Sequence, residues 1–320
     1  MSRPVSVAGA AELLRKADKV LILMHQYPDG DTIGSGYALC RALQAMGKTV
    51  RTACCDPIPP KYDYMTADVP EPDFEPQTIV AVDVADPQLL GNLQPLADRV
   101  ALCIDHHASN KAYAEHLLLD AGCGAAAMIV ADVIDALGVE FDRGIAECIY
   151  TGVATDTGCF KYANTDAAAH RLAARMIERG ARIEMINREM FDIKSRARVL
   201  LERMALESIR FECGGKAAFM TITNAMIAAS GAIENDMEGL APIPRQIEGV
   251  WVGVTLRQKA DGNYKVSVRT GTHADAAAIC EPLGGGGHVR AAGCSPEGDA
   301  DAVIDRLLQS IRRHVPRIDG

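Results

Sequence analysis

The stretch HQYPDGDTIGSG at residues 25–36 brings one histidine and two carboxylates within seven positions of each other: His25, Asp29 and Asp31. It follows the apolar run VLILM (20–24), which is typical of a strand buried on both faces. Imidazole and carboxylate groups are ligands of divalent cations. The stretch therefore predicts a metal site just beyond a strand. An alternative stays open for Asp31, because an aspartate before a helix is also a common N-cap.

Two more apolar runs end in residues of similar chemistry. TIVAVDV (78–84) carries Asp83, and RVALCID (99–105) ends at Asp105, which His106 and His107 follow. Ligands of open parallel sheets bind at the carboxyl ends of the strands. We therefore expect these side chains and those of residues 25–36 to converge on one edge of a sheet.

The two adjacent histidines are not expected to be equivalent, because neighbouring side chains on an extended segment point to opposite sides. We predict that His106 is the metal ligand and that Asp105 orients a histidine. If the site cleaves a phosphoester, His107 is our candidate for contacting the phosphate group of the substrate or for protonating the oxygen that leaves. The sequence leaves open which of the two histidines binds the metal.

A fourth contribution comes from TGVATDTGCFKYANT (151–165), in which Asp156 ends a helical run. Alone, Asp156 would be read as part of a helix-ending turn. Taken with the strand ends it completes an oxygen-rich set with two imidazoles, which suits Mn²⁺ better than a structural zinc site. The set is His25, Asp29, Asp31, Asp83, His106 and Asp156. Six ligands are too many for one ion open to substrate, so we predict two divalent ions, Mn²⁺ or Mg²⁺, for phosphoryl transfer.

The pattern of elements predicts an α/β fold. Buried strands alternate with helical stretches in the first half, which predicts a parallel sheet followed by a helical region up to about residue 212. Strand candidates at 216–223, 249–258 and 263–270 then indicate a smaller α+β domain, with ADGN (260–263) as a hairpin turn. We predict a catalytic domain at 1–194, a helical connector at 195–214 and a second domain at 215–320. The active site is expected in the cleft between the domains.

The second domain contains EPLGGGGHVRAAGC (281–294). Four consecutive glycines are costly in regular structure, so we predict a loop that offers backbone N–H groups to an anion. A flexible surface turn is the alternative. Arg269, at the end of VSVRT, could meet the same anion or be an ordinary exposed arginine at a strand end.

HQYPDGD, VAVDVAD, IDHH and ATDTGCF, in this order, resemble the four motifs of the DHH phosphoesterases. VSVRT followed by GGGGHVRAAGC resembles the first type of DHH-associated domain. The two-domain layout is similar to NrnA-type enzymes, a bacterial group of oligoribonucleases and 3′-phosphoadenosine-5′-phosphate phosphatases. The resemblance spans most of the chain.

The resemblance implies a function and a role for each matching residue. The six ligands above match the family's metal ligands, with Asp83 and Asp156 bridging the ions. The substrate-binding edge is matched by Arg269, Thr270, Gly284, Gly285, Gly286, Gly287 and His288. Thr270 stands where relatives commonly have serine. The expected substrates are short single-stranded oligoribonucleotides, linear dinucleotides or adenosine bisphosphate.

The bulk composition agrees with such substrates. The 320 residues carry a net charge of −9, which argues against binding long duplex nucleic acid through bulk charge. Ten scattered cysteines without CxxC spacing indicate reduced thiols. No apolar run approaches the roughly 18 residues that span a membrane. We expect a soluble cytoplasmic protein, and the sequence leaves monomer and homodimer open.

Two rival functions remain at this point. DGDT (29–32) fits the DxDxT start of haloacid-dehalogenase phosphatases, in which Asp29 would be the nucleophile. That reading leaves the IDHH segment without a role. The other rival is a non-catalytic nucleotide or RNA sensor on the same fold. An intact ligand set argues against a sensor, because binding alone does not need six metal ligands.

Overall fold

A computed structural model describes residues 2–237 and 239–319 of the chain, without the side chain of Asn235. It forms two compact units, Met1–Ile193 and Lys194–Gly320. No helix in the described ranges is long and apolar enough to cross a bilayer. The α/β class, with one sheet in each unit, is confirmed.

The first unit is built on a six-stranded sheet in the order β1-β6-β5-β4-β2-β3, in which every pairing is parallel. Its strands are β1 (Arg3–Pro4), β2 (Val20–Leu23), β3 (Val50–Ala53), β4 (Thr78–Val82), β5 (Val100–Asp105) and β6 (His116–Leu119). The predicted strands are confirmed, and the short edge strand β1 was not predicted. Because β4 lies between β2 and β5, the ends of these three strands are neighbours.

Helices cover one face of this sheet. They are α1 (Val7–Lys16), α2 (Gly30–Ala45), α3 (Asp63–Thr66), α4 (Ala126–Leu137), α5 (Arg143–Asp156), α6 (Ala167–Glu178) and α7 (Ile183–Asn187), which continues as a π-helical turn at Arg188–Asp192. Side chains of β2 alternate between the two faces: Val20 and Ile22 pack under the helices, and Leu21 and Leu23 pack on the opposite side. A 3₁₀ segment, Pro87–Arg99, covers that opposite side.

Helices α2 and α5 approach closely because glycines line their contact. A Cβ on Gly34 of α2 would lie 2.4 Å from the carbonyl oxygen of Cys148 in α5, and one on Gly152 of α5 would lie 2.8 Å from Oδ1 of Asp31 in α2. The small residues at the start of α2 therefore serve packing, and the close contact fixes the end of α2 that carries Asp31.

The second unit has a six-stranded sheet in the order β11-β12-β10-β9-β8-β7, antiparallel except for β8 with β9. Its elements are α8 (Arg196–Glu207), β7 (Arg210–Glu212), β8 (Ala217–Ile222), α9 (Asn224–Ser230), β9 (Val252–Gln258), β10 (Tyr264–Thr270), α10 (Ala276–Cys280), β11 (Gly286–His288), β12 (Ala291–Cys294) and α11 (Ala300–His314). Helices α10 and α11 pack on one face of the sheet, and α8 packs on the other.

The structure differs in detail from the helical connector expected at 195–214. Its helix ends at Glu207, since residues 210–212 pair with 217–219 in a hairpin that turns through Gly214 at φ +63°. Helix α8 lies in the second unit, where Leu201 and Ala205 pack against β8. The predicted β9–β10 hairpin is confirmed, closed by a hydrogen bond from Lys259 N–H to the carbonyl of Asn263.

Candidate metal centre and substrate-binding strand

The predicted ligands of the first unit lie together beyond β2, β4 and β5. Asp83 directly follows β4 and is 3% exposed, and Asp105 is the last residue of β5 and is fully buried. Among the described residues, three groups of side chains have potential ligand atoms within 4.8 Å of one another. They are His25, Asp29 and Asp83; Asp31, His106 and Asp156; and Asp83, His106 and His107. The six residues predicted as ligands therefore form one continuous cluster.

Asp83 lies at the centre of this cluster. Its Oδ2 is 3.5 Å from Nε2 of His25, and its Oδ1 is 3.6 Å from Nε2 of His106. The two oxygens thus face two different groups, as a carboxylate shared by two cations would. Asp156 belongs to only one of the groups, so the bridging role expected for it stays a prediction.

The environment of Asp83 fits a cation. Its Oδ1 is buried and has no hydrogen-bond partner among the described residues. Burial, together with the negative charge of Asp31, raises the pKa of this carboxyl well above its ordinary value. Its backbone is left-handed, with φ +57°, a conformation that costs free energy in a residue other than glycine. A divalent cation would compensate a carboxylate held at this cost.

Backbone carbonyls orient two of the histidines in the same way. Nδ1 of His25 lies 2.8 Å from the carbonyl oxygen of Gln26, and Nδ1 of His106 lies 3.2 Å from that of Cys123. An Nδ1–H that donates to a carbonyl leaves Nε2 as the unprotonated, metal-binding nitrogen. In both residues Nε2 faces the carboxylates of the cluster.

His107 is oriented differently, and Asp105 is the cause. Its Nδ1 lies 2.8 Å from Oδ1 of Asp105, which also accepts from the backbone N–H groups of His106 and His107. This hydrogen bond raises the pKa of His107 to about 9. Nδ1, the nitrogen nearer Asp83 at 3.4 Å, is thus engaged by Asp105, and the side chain is 46% exposed. The two histidines thus differ in their hydrogen-bond partners, but their rings do not point to opposite sides as expected. The ring centroids are 4.3 Å apart, and both rings lie near Oδ1 of Asp83, so the choice of His106 as the ligand stays a prediction.

The two aspartates of residues 25–36 have different local structures. Asp29, rather than Asp31, is the N-cap of α2, and its Oδ1 accepts from the N–H groups of Asp31 and Thr32. Asp31 lies inside the first turn and is 1% exposed. Its oxygens accept from the N–H groups of Ala126 and Ala127 at the start of α4, at 2.6 and 2.9 Å. Asp31 therefore ties α2 to α4 while facing the cluster.

Asp156 is the last residue of α5, so the helix-ending position considered from the sequence is correct for its backbone. Its carboxylate nevertheless reaches the cluster, with Oδ2 at 3.5 Å from Nε2 of His106. Burial, and then the charges of Asp31 and Asp29, raise its pKa to about 8. Several neighbouring carboxyl groups with raised pKa values are typical of a site that binds cations.

Asn110 was not predicted. Its side-chain amide donates to Oδ2 of Asp105 at 2.5 Å. Both carboxylate oxygens of Asp105 therefore have hydrogen-bond partners, Asn110 at Oδ2 and His107 at Oδ1. Asn110 in turn accepts from the N–H of Ala112, within the turn that follows β5. The spacing of five residues between Asp105 and Asn110 matches neither helix nor strand periodicity, so it did not indicate a contact. Only the folded turn brings the two side chains together.

The glycine run of the second unit is not the open loop that was predicted. Gly286, Gly287 and His288 form strand β11, which pairs with β12. Gly284 has φ +73° and ends the preceding turn. A Cβ on Gly285 would lie 2.2 Å from the carbonyl oxygen of Gly293, so this glycine permits a close approach of two strands. Only part of the run is therefore available to a ligand, along the outer edge of β11.

Arg269 and Thr270 end β10, as expected, but they face different surroundings. Arg269 is half-buried and donates to the carbonyl of Val268. Thr270 is 7% exposed, and its hydroxyl donates to the carbonyl oxygen of Val289 at 2.9 Å. The structure thus gives the Thr270 hydroxyl a partner within the fold, joining β10 to the turn after β11. The substrate-binding role that the resemblance implies for Thr270 stays a prediction.

Comparison with known proteins agrees with this geometry. The model of the DHH family, N-terminal domain, matches residues 19–153, and that of the DHHA1 domain matches residues 207–315. A bifunctional oligoribonuclease and PAP phosphatase NrnA of Thermus thermophilus is 33% identical over 315 residues, covering 96% of this chain and 94% of that protein. An NrnA of Mycoplasma pneumoniae with the same description is 23% identical, covering 98% of each chain.

A solved structure supports the fold. The crystal structure of an exopolyphosphatase-related protein from Bacteroides fragilis superposes with a TM-score of 0.87 at 22% identity, covering 98% of this chain and 97% of that one. The haloacid-dehalogenase alternative is wrong, since Asp29 is the cap of α2 and neither matching model is of that family. From its motifs, its two matched domains and its full-length relative, this chain belongs to the DHH family.

Proposed function

We propose that this protein is a metal-dependent phosphoesterase that hydrolyses short 5′-phosphorylated oligoribonucleotides and 3′-phosphoadenosine 5′-phosphate. Full-length similarity to the Thermus NrnA supports the substrate class. The observation that carries the chemistry is the position of Asp83, whose two oxygens face two groups of ligands. A sensor without catalysis would gain nothing from a strained, buried carboxylate at that position.

We propose two divalent cations at this cluster, Mn²⁺ in preference to Mg²⁺. One would be held by His25, Asp29 and Asp83, and the other by Asp31, His106 and Asp156, with Asp83 shared. Two imidazoles among carboxylates support Mn²⁺, because Mg²⁺ prefers oxygen ligands and water. When bound, such ions lower the pKa of water and neutralise charge on phosphoryl oxygens.

The residues of the chain then position and protonate the substrate. His25 and His106 each offer Nε2 to the cations, because their Nδ1 atoms are engaged by carbonyls. His107 is held by Asp105 through Nδ1, which leaves Nε2 to donate a proton to a phosphate oxygen or to the leaving oxygen. The raised pKa of His107, about 9, keeps a proton on the ring at neutral pH.

Arg269 and the edge of β11 with His288 are proposed to bind the far end of the substrate. Few phosphates would be engaged in this way, which is compatible with a net charge of −9. The ten cysteines are all free thiols, which supports a reducing compartment such as the cytoplasm.

The test is a panel of substrates assayed with Mn²⁺ and with Mg²⁺, using wild-type protein and Asp83→Ala. The panel contains a 5′-phosphorylated diribonucleotide, a cyclic dinucleotide, 3′-phosphoadenosine 5′-phosphate and a duplex RNA, with products separated by chromatography. We expect cleavage of the dinucleotide and of the adenosine bisphosphate and no cleavage of the duplex. The proposal fails if wild-type protein leaves every short substrate intact, or if Asp83→Ala cleaves them at the wild-type rate.

A further inference from the structure

One row of residues crosses the sheet of the second unit and carries both of its predicted binding side chains. His288 lies opposite Ala291, Ala291 opposite Arg269, and Arg269 opposite Gly253. Residues that face each other on neighbouring strands project to the same side of a sheet. The next position along three of these strands is filled by Val254, Val268 and Ala292, which lie in the core on the opposite side. The row therefore presents an imidazole and a guanidinium on the face away from that core.

Arg245, in the 3₁₀ turn Ile243–Gln246, extends this row beyond Gly253. A Cβ on Gly253 would lie 2.4 Å from the backbone nitrogen of Arg245. A Cβ on Gly271 would lie 2.5 Å from its Nη2 and 3.1 Å from its Cζ. Two glycines on adjacent strands thus leave the space that this one arginine fills.

The guanidinium of Arg245 lies beside Gly271, two residues beyond Arg269 in the chain. The pairing of β10 with β9 continues past Thr270, because Gly271 N–H donates to the carbonyl of Trp251 at 3.1 Å. Gly271 is two residues beyond Arg269, so both positions face the same side and are about 7 Å apart along the strand. A second arginine is therefore presented beside the one that the family resemblance identifies.

No carboxylate in the described part of the chain pairs with Arg245. Its Nε is buried and has no hydrogen-bond partner there. Arg257, further along β9, is instead paired with Glu234 through both terminal nitrogens. A buried donor left unsatisfied costs about 1–3 kcal/mol, and more if charged. The guanidinium of Arg245 is held between two glycines, lies on the same side of the sheet as Arg269 and has no protein anion as partner among the described residues. This is the chemistry of a phosphate-binding residue.

We propose that Arg245 binds the terminal phosphate of the substrate together with Arg269 and His288. The inference rests on the function proposed above and deepens it, because it makes a terminal phosphate monoester, rather than a base, the group that the second unit recognises. A phosphate dianion can accept from two guanidinium forks at once, whereas the single negative charge of an internal diester cannot balance both.

The test compares Arg245→Met with wild-type protein on two diribonucleotides, one with a 5′-phosphate and one with a 5′-hydroxyl. Methionine keeps an apolar stem between the glycines and removes the charge. We expect KM for the phosphorylated substrate to rise about 10- to 100-fold, as expected for losing a hydrogen bond to a charged group. KM for the hydroxyl substrate and both kcat values should change little.

Arg257→Met is the matched control, since it removes an arginine from the same sheet and changes the net charge equally. It should leave both KM values near wild type. Arg245→Lys should recover part of the loss, because it restores the charge without the fork. Thermal melting of each variant establishes that it is folded.

Two results would overturn the inference: an unchanged KM in Arg245→Met, or an equal rise for both dinucleotides. Calorimetric binding of the same two dinucleotides, without added metal, separates this inference from the proposed function. If wild-type protein cleaves neither dinucleotide, the proposed function fails. The role of Arg245 is then decided by whether Arg245→Met weakens binding of the phosphorylated dinucleotide alone.

Discussion

The two units of this protein present functional groups in different ways. In the first unit, acidic and imidazole side chains collect at the ends of parallel strands, within short contiguous motifs such as the IDHH segment. In the second unit, one imidazole and two guanidinium side chains form a row across antiparallel strands and an adjoining 3₁₀ turn, and His288, Arg269 and Arg245 are far apart in sequence. From the proposed function we expect a division of labour, in which side chains of the first unit determine kcat and those of the second determine KM.

The strongest test of this division is the replacement of Asp83. We expect Asp83→Ala to lower kcat by more than about 100-fold, because even residues that only orient a metal ligand cost about 10- to 100-fold. KM for a 5′-phosphorylated dinucleotide should change little. Steady-state kinetics with saturating Mn²⁺ measure both values. A large rise in KM with kcat preserved would mean that the first unit mainly binds substrate.

Arg269→Met is the counterpart in the second unit. Loss of a charge-assisted hydrogen bond predicts a rise in KM of about 10- to 100-fold, with kcat nearly unchanged. The same kinetics measure it, with Arg257→Met as the control for net charge. If kcat fell as far as in Asp83→Ala, the division between the units would be refuted.

Asn110→Ala tests whether the precise orientation of His107 matters. Asn110 holds Asp105, which holds His107, so its loss should lower kcat by about 10-fold, the lower end of the range for indirect orientation. KM should stay constant, and bound metal should remain at the wild-type stoichiometry by elemental analysis. Reduced metal content in the variant would instead make Asn110 part of the support for the metal centre.

The two units should differ in how many protons are released when they bind their ligands. The pKa of Asp156 is raised to about 8, so this carboxyl holds a proton at neutral pH without metal, and burial raises the pKa of Asp83 in the same direction. Cation binding requires the ionised forms, so it should release protons and tighten as pH rises toward 8. Calorimetry in buffers of different ionisation enthalpy counts the protons. Phosphate binding by arginine should show no comparable proton release, because guanidinium stays charged.

The smallest expected effect concerns the glycine strand. A Cβ on Gly287 would lie 2.6 Å from the carbonyl oxygen of Ala291, and its φ is +146°, whereas Gly286 faces open space. Gly287→Ala should therefore lower the free energy of unfolding by more than about 1 kcal/mol. Gly286→Ala should stay within about 0.5 kcal/mol, as surface substitutions do. Chemical denaturation measures both, and equal losses would contradict the geometry.

The sequence could predict that these acidic and imidazole side chains lie together, because most of them follow buried strands at a shared sheet edge; their role as metal ligands stays a prediction. Asp83 and Asp105 could be assigned to strand ends from apolar runs alone, and topology then brings those ends together. The cap of α2 was less certain, since Asp29 and Asp31 are both suited to an N-cap, and only the backbone path selects Asp29.

The second unit was harder to predict. The glycine run was taken for a loop, because the pairing that makes Gly286–His288 a strand depends on the approach of Ala291–Cys294. Arg245 and Asn110 carry no motif, and their positions depend on turns whose partners lie elsewhere in the chain. Residues that act across a sheet face or a folded turn leave no local pattern, and the structure is needed to find them.

The two hydrogen bonds that Asp31 accepts from the start of α4 have an evolutionary consequence. Its carboxylate holds the start of α4 through Ala126 and Ala127, so it serves the fold as well as the metal cluster. Asp83 makes no such contribution through Oδ1. A descendant of this chain that lost catalysis would be free to discard Asp83 early, while purifying selection on stability retained Asp31. Inactive members of such a lineage should therefore be recognisable by which of the two aspartates they have lost.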